Sequence, residues 1–154
     1  MIATPEIVQT SAEMAAVIHL AIPRAEMMKA FGPAVGELIA ELTRQGLTPQ
    51  GAVFAHHLTM SAATFDFELG FRIDAPVKAN GRVKPGALPA AKVARTIYSG
   101  PYEGLPAAWG EFNQWLHANG HRQADDLWEV YSVGPQSTPD PANWRTELTR
   151  PLRD

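Results

Sequence analysis

Shifting the chain by 74 positions lays one half on the other, and few features restrict a fold more than an internal repeat of that length. GPAVGELIAELTRQG, from Gly32, then faces PAAWGEFNQWLHANG, from Pro106. Ala34 meets Ala108, Gly36 meets Gly110, Glu37 meets Glu111, Leu42 meets Leu116 and Gly46 meets Gly120. Val35, Leu38, Ile39 and Leu42, and likewise Trp109, Phe112 and Leu116, recur at helical spacing. The spacing predicts helices over Pro33–Gln45 and Pro106–Asn119, each closed by a glycine suited to a left-handed cap. At the same shift VFAHHL, from Val53, overlies LWEVYS, from Leu127, so each helix is followed by a strand.

Strands are also expected before each helix, in MAAVIHLAI and AAKVARTIY. Phe65, Phe67, Leu69 and Phe71 alternate with polar residues in FDFELGFRI, as in a half-buried antiparallel strand. Its counterpart is WRTELTRPL near the C-terminus. Each half thus reads strand–helix–strand–strand, over about 14–73 and 88–152, joined by the Pro- and Gly-rich stretch 74–90. Two small sheets make a better core when merged, so the expectation is one domain over residues 1–154. Its class is α+β, with about six antiparallel strands, two helices on one face and a central groove between them.

Scattered charges and a net charge of −3 give no reason to expect specific nucleic-acid binding. There is no cysteine, which removes disulfides and thiolate chemistry and is compatible with a cytoplasmic location. The start of the chain lacks a basic signal-peptide region, and the apolar run Met14–Pro23 is about half the length that spans a membrane. No membrane partner is expected, and with no helix-turn-helix ahead of the repeat a standalone protein is.

One residue in LWEVYSV does not suit its strand. Side chains alternate between faces, so Glu129 shares a face with Leu127, Tyr131 and Val133. The second helix carries Trp109, Phe112 and Trp115, bulkier than its partner needs, and Ala55 stands in the first half where Glu129 stands in the second. An acid among Trp and Tyr side chains suits a receptor for lipophilic cations; the same acid, desolvated, suits a general base. A Glu on the solvent face, paired with Arg95 or Arg145, fits the pattern equally well.

The histidines point to no metal. His56 and His57 are adjacent in a strand and face opposite ways, and Gly120 ends the helix between His117 and His121. No phosphate-binding glycine loop and no GxSxG serine is present, and no cofactor is expected.

Leu88 to Gly120 resembles the strand, Gly-Pro-Tyr turn and second helix of the DNA gyrase inhibitor-like (GyrI-like) small-molecule-binding family. WEVY, Trp128 to Tyr131, resembles its Glu-Val-Tyr strand, and TELTRP, Thr146 to Pro151, its closing strand. The family includes effector-binding domains of AraC-type and MerR-type multidrug regulators. The resemblance implies a tandem strand–helix–strand–strand (SHS2-like) fold with Glu129 as pocket acid. It places the groove aromatics on Tyr131, Tyr102 and Trp109. The residue pattern adds Phe112 and Tyr98, with Trp144, Phe54 and His56 as further candidates. The first half departs from the family: His56-His57 stands about where it often has an aromatic residue.

Three functions follow from that resemblance. The first is a standalone binder of lipophilic, cationic or aromatic small molecules. The second is a hydrolase of reactive cyclopropane-containing genotoxins, with Glu129 activating water and Tyr131 assisting. The third is an inhibitor that contacts DNA gyrase. A monomer or weak dimer is expected in each case.

Overall fold

Both repeats stop their helices in the same way. In the computed structural model, which describes residues 2–61, 63–135 and 137–154 (and not the side chains of Met28 and Met60), helix α1 spans Met27–Arg44 and helix α2 Leu105–Ala118. Gly46 (φ 73°) and Gly120 (φ 74°) follow them in the left-handed region. Leu47 N–H donates to the Leu42 carbonyl at 2.8 Å and His121 N–H to that of Leu116 at 3.0 Å. Gly46 N–H donates to Thr43 and Gly120 N–H to His117, both at 3.1 Å. Together these bonds form a Schellman motif at each helix end.

The fold is α+β. Its strands are β1 Glu6–Gln9, β2 Glu13–Pro23, β3 Phe54–Met60, β4 Thr64–Arg72, β5 Val83–Leu88, β6 Lys92–Ser99, β7 Leu127–Val133 and β8 Arg145–Pro151. They belong to two compact units, one of Ser11–Ala90 and one of Met1–Thr10 with Ala91–Asp154. The first has strand order β5-β2-β4-β3 and the second β1-β6-β8-β7, all pairs antiparallel. Each therefore has an edge strand, then the first, third and second strands of the repeat.

Two strands lie outside the expected six, and both are those edges. β5 runs through the stretch 74–90, which its Pro and Gly content made look like a plain connection. Pro85 is tolerated because β5 pairs on one side only within its unit. Gly86 is needed because a Cβ there would lie 2.8 Å from Val17 Cγ2. Helix α1 also begins six residues before the expected Pro33, which lies inside it on an exposed face, opposite the buried Ala34, Leu38 and Leu42.

In the second unit Ala94, Tyr98 and Leu148 of the sheet pack with Ala108, Phe112 and Leu116 of α2. Phe112, Leu116 and Leu148 are fully buried, each contributing about 1.5–3 kcal/mol by removal from water. Among the described residues no helix is long and apolar enough to cross a membrane.

The cap and helix glycines should respond in opposite directions. A Cβ at Gly110 or at Gly120 meets nothing within 4 Å, so only the backbone matters. Gly110→Ala, in the helix, is expected to stabilise by ~1 kcal/mol and Gly120→Ala to destabilise by ~1–2 kcal/mol. Urea denaturation of both variants measures this, and equal effects would remove the cap assignment.

Candidate functional site

Glu129 sits opposite Leu148 in the β7–β8 ladder. Paired residues share a face, and Leu148 packs under α2, so the carboxylate points to the helix side of the sheet. It is 7% exposed. Beyond Val130 the ladder slips: Val130 pairs with Glu147 but Val133 with Arg145, so Tyr131 and Ser132 together face Thr146. This bulge interrupts the regular pairing at Tyr131 and Ser132. The Tyr131 hydroxyl donates to Glu129 Oε1 at 2.6 Å.

The other carboxylate oxygen is held from the helix. Trp109 Nε1–H donates to Glu129 Oε2 at 2.7 Å. The Trp109 ring leans on Phe112, centroids 5.6 Å apart, and Phe112 is anchored in the core. Tyr102, in the 3-10 turn Tyr102–Gly104, meets Tyr131 edge-on at 5.7 Å and Trp144 at 4.9 Å. Trp144 is fixed in turn by donation from Nε1 to the Thr138 carbonyl at 2.9 Å.

Tyr98 serves this arrangement from below. Buried in the core, it donates through its hydroxyl to the Pro101 carbonyl at 2.8 Å, just before the turn that carries Tyr102. A Cβ at Gly104 would lie 2.0 Å from that hydroxyl, so the turn can close over Tyr98 only with glycine there. The structure thus brings Glu129, Tyr131, Trp109, Tyr102 and Trp144 together, with Phe112 and Tyr98 as supports. Phe54 and His56 lie on β3, in the other unit, where Phe54 is buried and a Cβ on Gly70 would approach its ring to 3.1 Å.

Burial pushes the Glu129 carboxyl pKa up, and the hydrogen bonds from Tyr131 and Trp109 pull it back in part. Tyr131 is driven well above the ordinary phenol value by burial and by the neighbouring carboxylate, and Tyr102 is raised for the same two reasons. Among the described residues no Lys, Arg or His forms an ion pair with Glu129. The surface alternative fails on this geometry. Arg95 pairs with Glu147 at 3.8 Å, while Arg145 donates to the carbonyls of Ala142 and Trp144.

The sequence reading missed the loop that delivers Trp144. Asp140 accepts from Ala142 N–H at 3.1 Å and starts the 3-10 turn Pro141–Asn143, a signal present in the Asp-Pro pair. Of the helix histidines, His121 Nδ1 lies 2.6 Å from Asp154 Oδ2 and its ring stacks on Trp115. Among the described residues no group of three potential metal ligands occurs.

The profile of the GyrI-like small molecule binding domain matches residues 3–153. The chain belongs to that family. The EcmrR C-terminal domain is 21% identical, with a TM-score of 0.86 and coverage of 98% of both chains. EcmrR in its DNA complex is 22% identical, with a TM-score of 0.83 over 97% of this chain. This chain spans 57% of that one. SAV2435 bound to tetraphenylphosphonium is 12% identical, with a TM-score of 0.71, covering 98% of this chain and 94% of its own. A hydrolase from Listeria innocua is 14% identical, with a TM-score of 0.67 and coverage of 96% and 91%. At these identities the likeness is one of fold. No curated protein matches the sequence.

Proposed function

We propose that the Glu129 site binds lipophilic aromatic cations. One observation carries this reading: a buried carboxylate whose two oxygens are oriented by neutral donors, Trp109 and Tyr131, with no basic side chain among the described residues paired to it. An uncompensated buried anion is costly, and an incoming cation removes that cost. The faces of Tyr102, Trp144 and Trp109 supply aromatic area and attraction for a cation at close range. SAV2435 has the same fold and is bound to tetraphenylphosphonium, a cation enclosed by four phenyl rings, which makes it a suitable probe.

The test is titration with tetraphenylphosphonium, followed by tryptophan fluorescence and thermal unfolding. Saturation at 100 times Kd should add about 2.7 kcal/mol of stability and raise Tm by roughly 5–10 °C. No shift in Tm and no quenching at millimolar probe would reject the reading.

The same atoms admit hydrolysis. A carboxyl with a raised pKa, tied at 2.6 Å to a phenol, is placed to take a proton from water while Tyr131 supports the charge that develops. Mass spectrometry of incubated electrophile mixtures separates the two readings, since a receptor returns its ligands unchanged.

A further inference from the structure

The Glu129 carboxylate is closed off in this structure. It is buried, and Tyr131 and Trp109 occupy its two oxygens, so a ligand reaches it only if part of the surrounding wall moves. The turn that carries Tyr102 lies at the surface. Pro101 and Glu103 are exposed, and Tyr102 is half-buried with its ring edge-on to Tyr131. The segment is a single 3-10 turn leading into α2, and neither it nor α2 has a side-chain cap at its N-terminus.

Among the described residues, two hydrogen bonds tie this turn to the rest of its unit. Gly100 N–H donates to the Trp144 carbonyl at 3.0 Å. The Tyr98 hydroxyl donates to the Pro101 carbonyl at 2.8 Å. That carbonyl also takes Gly104 N–H at 3.1 Å, the bond that closes the turn. The phenol itself is held firmly, since Tyr98 is buried in the cluster with Ala108 and Phe112. Cβ atoms at Gly100 and Gly104 would lie 2.9 Å and 2.0 Å from its oxygen, so the turn passes over the hydroxyl with glycine on both sides.

We propose that the Tyr98 hydroxyl is a latch: it holds the Tyr102 turn shut beside Tyr131, and release of the turn admits ligands to Glu129. The proposal rests on Glu129 as the group that receives the cation. Tyr98 touches no ligand and is a positioning residue that acts through the Pro101 carbonyl. The latch closes again over the bound ligand, so its bond is present in the free protein and in the complex alike. Removing it favours the open form equally in both, and association and dissociation accelerate by the same factor. A residue that merely shaped the bound site would raise dissociation and leave association alone.

The test is stopped-flow tryptophan fluorescence with tetraphenylphosphonium on wild type and Tyr98→Phe, which keeps the buried ring and removes the hydroxyl. Both rate constants should rise by ~3–10-fold, the scale of one lost hydrogen bond, with Kd changed by less than about twofold. Hydrogen exchange on the free protein gives a readout that needs no ligand. The amides of Gly100 and Gly104 should exchange faster in the variant, while that of Gly120, bonded to the His117 carbonyl at the other end of α2, should not change. An unchanged association rate, or unchanged exchange at Gly104, in a protein that binds the probe overturns the latch while the cation site stands. A wild type that fails to bind the probe overturns the Glu129 reading and the gating with it.

Discussion

Glu129→Gln is expected to weaken tetraphenylphosphonium by ~10–100-fold while leaving the fold intact. Glutamine keeps the size of the side chain and one carbonyl acceptor, but the negative charge is gone. A partly desolvated charge-assisted contact contributes about 1–3 kcal/mol, and the fold-change follows from that. Triphenylphosphine oxide, neutral and similarly shaped, should change little, since its affinity comes from aromatic burial. Equal affinities of wild type and variant for the cation would remove Glu129 from recognition. Under the hydrolytic reading the same variant should still bind a neutral substrate and lose ~100-fold or more in turnover.

The charge also gives this substitution a pH signature. The folded-state pKa of Glu129 lies above its unfolded value of 4.5, so the native chain keeps a proton that the unfolded chain has released. That contribution to stability is fully present below pH 4.5 and is lost as pH rises through the folded pKa. Glu129→Gln should lack this slope and gain on the wild type towards neutral pH. Cation binding runs the other way, growing as the carboxyl ionises.

Phe112→Ala is expected to produce the largest loss of stability, ~3–5 kcal/mol. Phe112 is fully buried in the cluster of Ala94, Tyr98, Ala108, Leu116 and Leu148, and the truncation leaves a cavity there. For a chain of this length that corresponds to a Tm lower by roughly 10 °C. The same ring supports Trp109 at 5.6 Å, so the indole that orients Glu129 should loosen with it. Trp109→Phe separates the two roles. It keeps an aromatic on the helix but removes the N–H, and should cost little stability while raising the Glu129 pKa further. Thermal unfolding that ranks Trp109→Phe as more damaging than Phe112→Ala would contradict this division.

Glu129 was legible because a strand alternates strictly, and an acid in phase with Leu127 and Tyr131 has to share their face. The helix ends were legible because only glycine takes φ near 74° without strain, and both repeats put one there. The edge strands β1 and β5 were not, since they are short, and one contains Pro and Gly. What makes them strands is a partner distant in sequence, β6 for one and β2 for the other. The bulge at Tyr131 was invisible for a related reason: it is a mismatch between two strands and belongs to neither. Bonds such as Trp109 to Glu129, 20 residues apart, follow from how α2 crosses the sheet. Residue types could mark both partners as candidates but could not pair them. The sequence choice between a solvated Glu129 held by Arg95 or Arg145 and a buried one was decided only by the burial of the carboxylate and by the other partners that both arginines have.

The most direct measurement is NMR titration of the Glu129 side-chain carboxyl carbon, followed across pH with and without tetraphenylphosphonium. In the free protein its midpoint should lie above 4.5, the ordinary value for a glutamic acid, because burial outweighs the donors Trp109 and Tyr131. With the cation bound, the midpoint should fall, since the positive charge favours the ionised form. A midpoint at the ordinary value in both samples, or one that does not move on saturation with the cation, would contradict the assignment of Glu129 as the group that receives it.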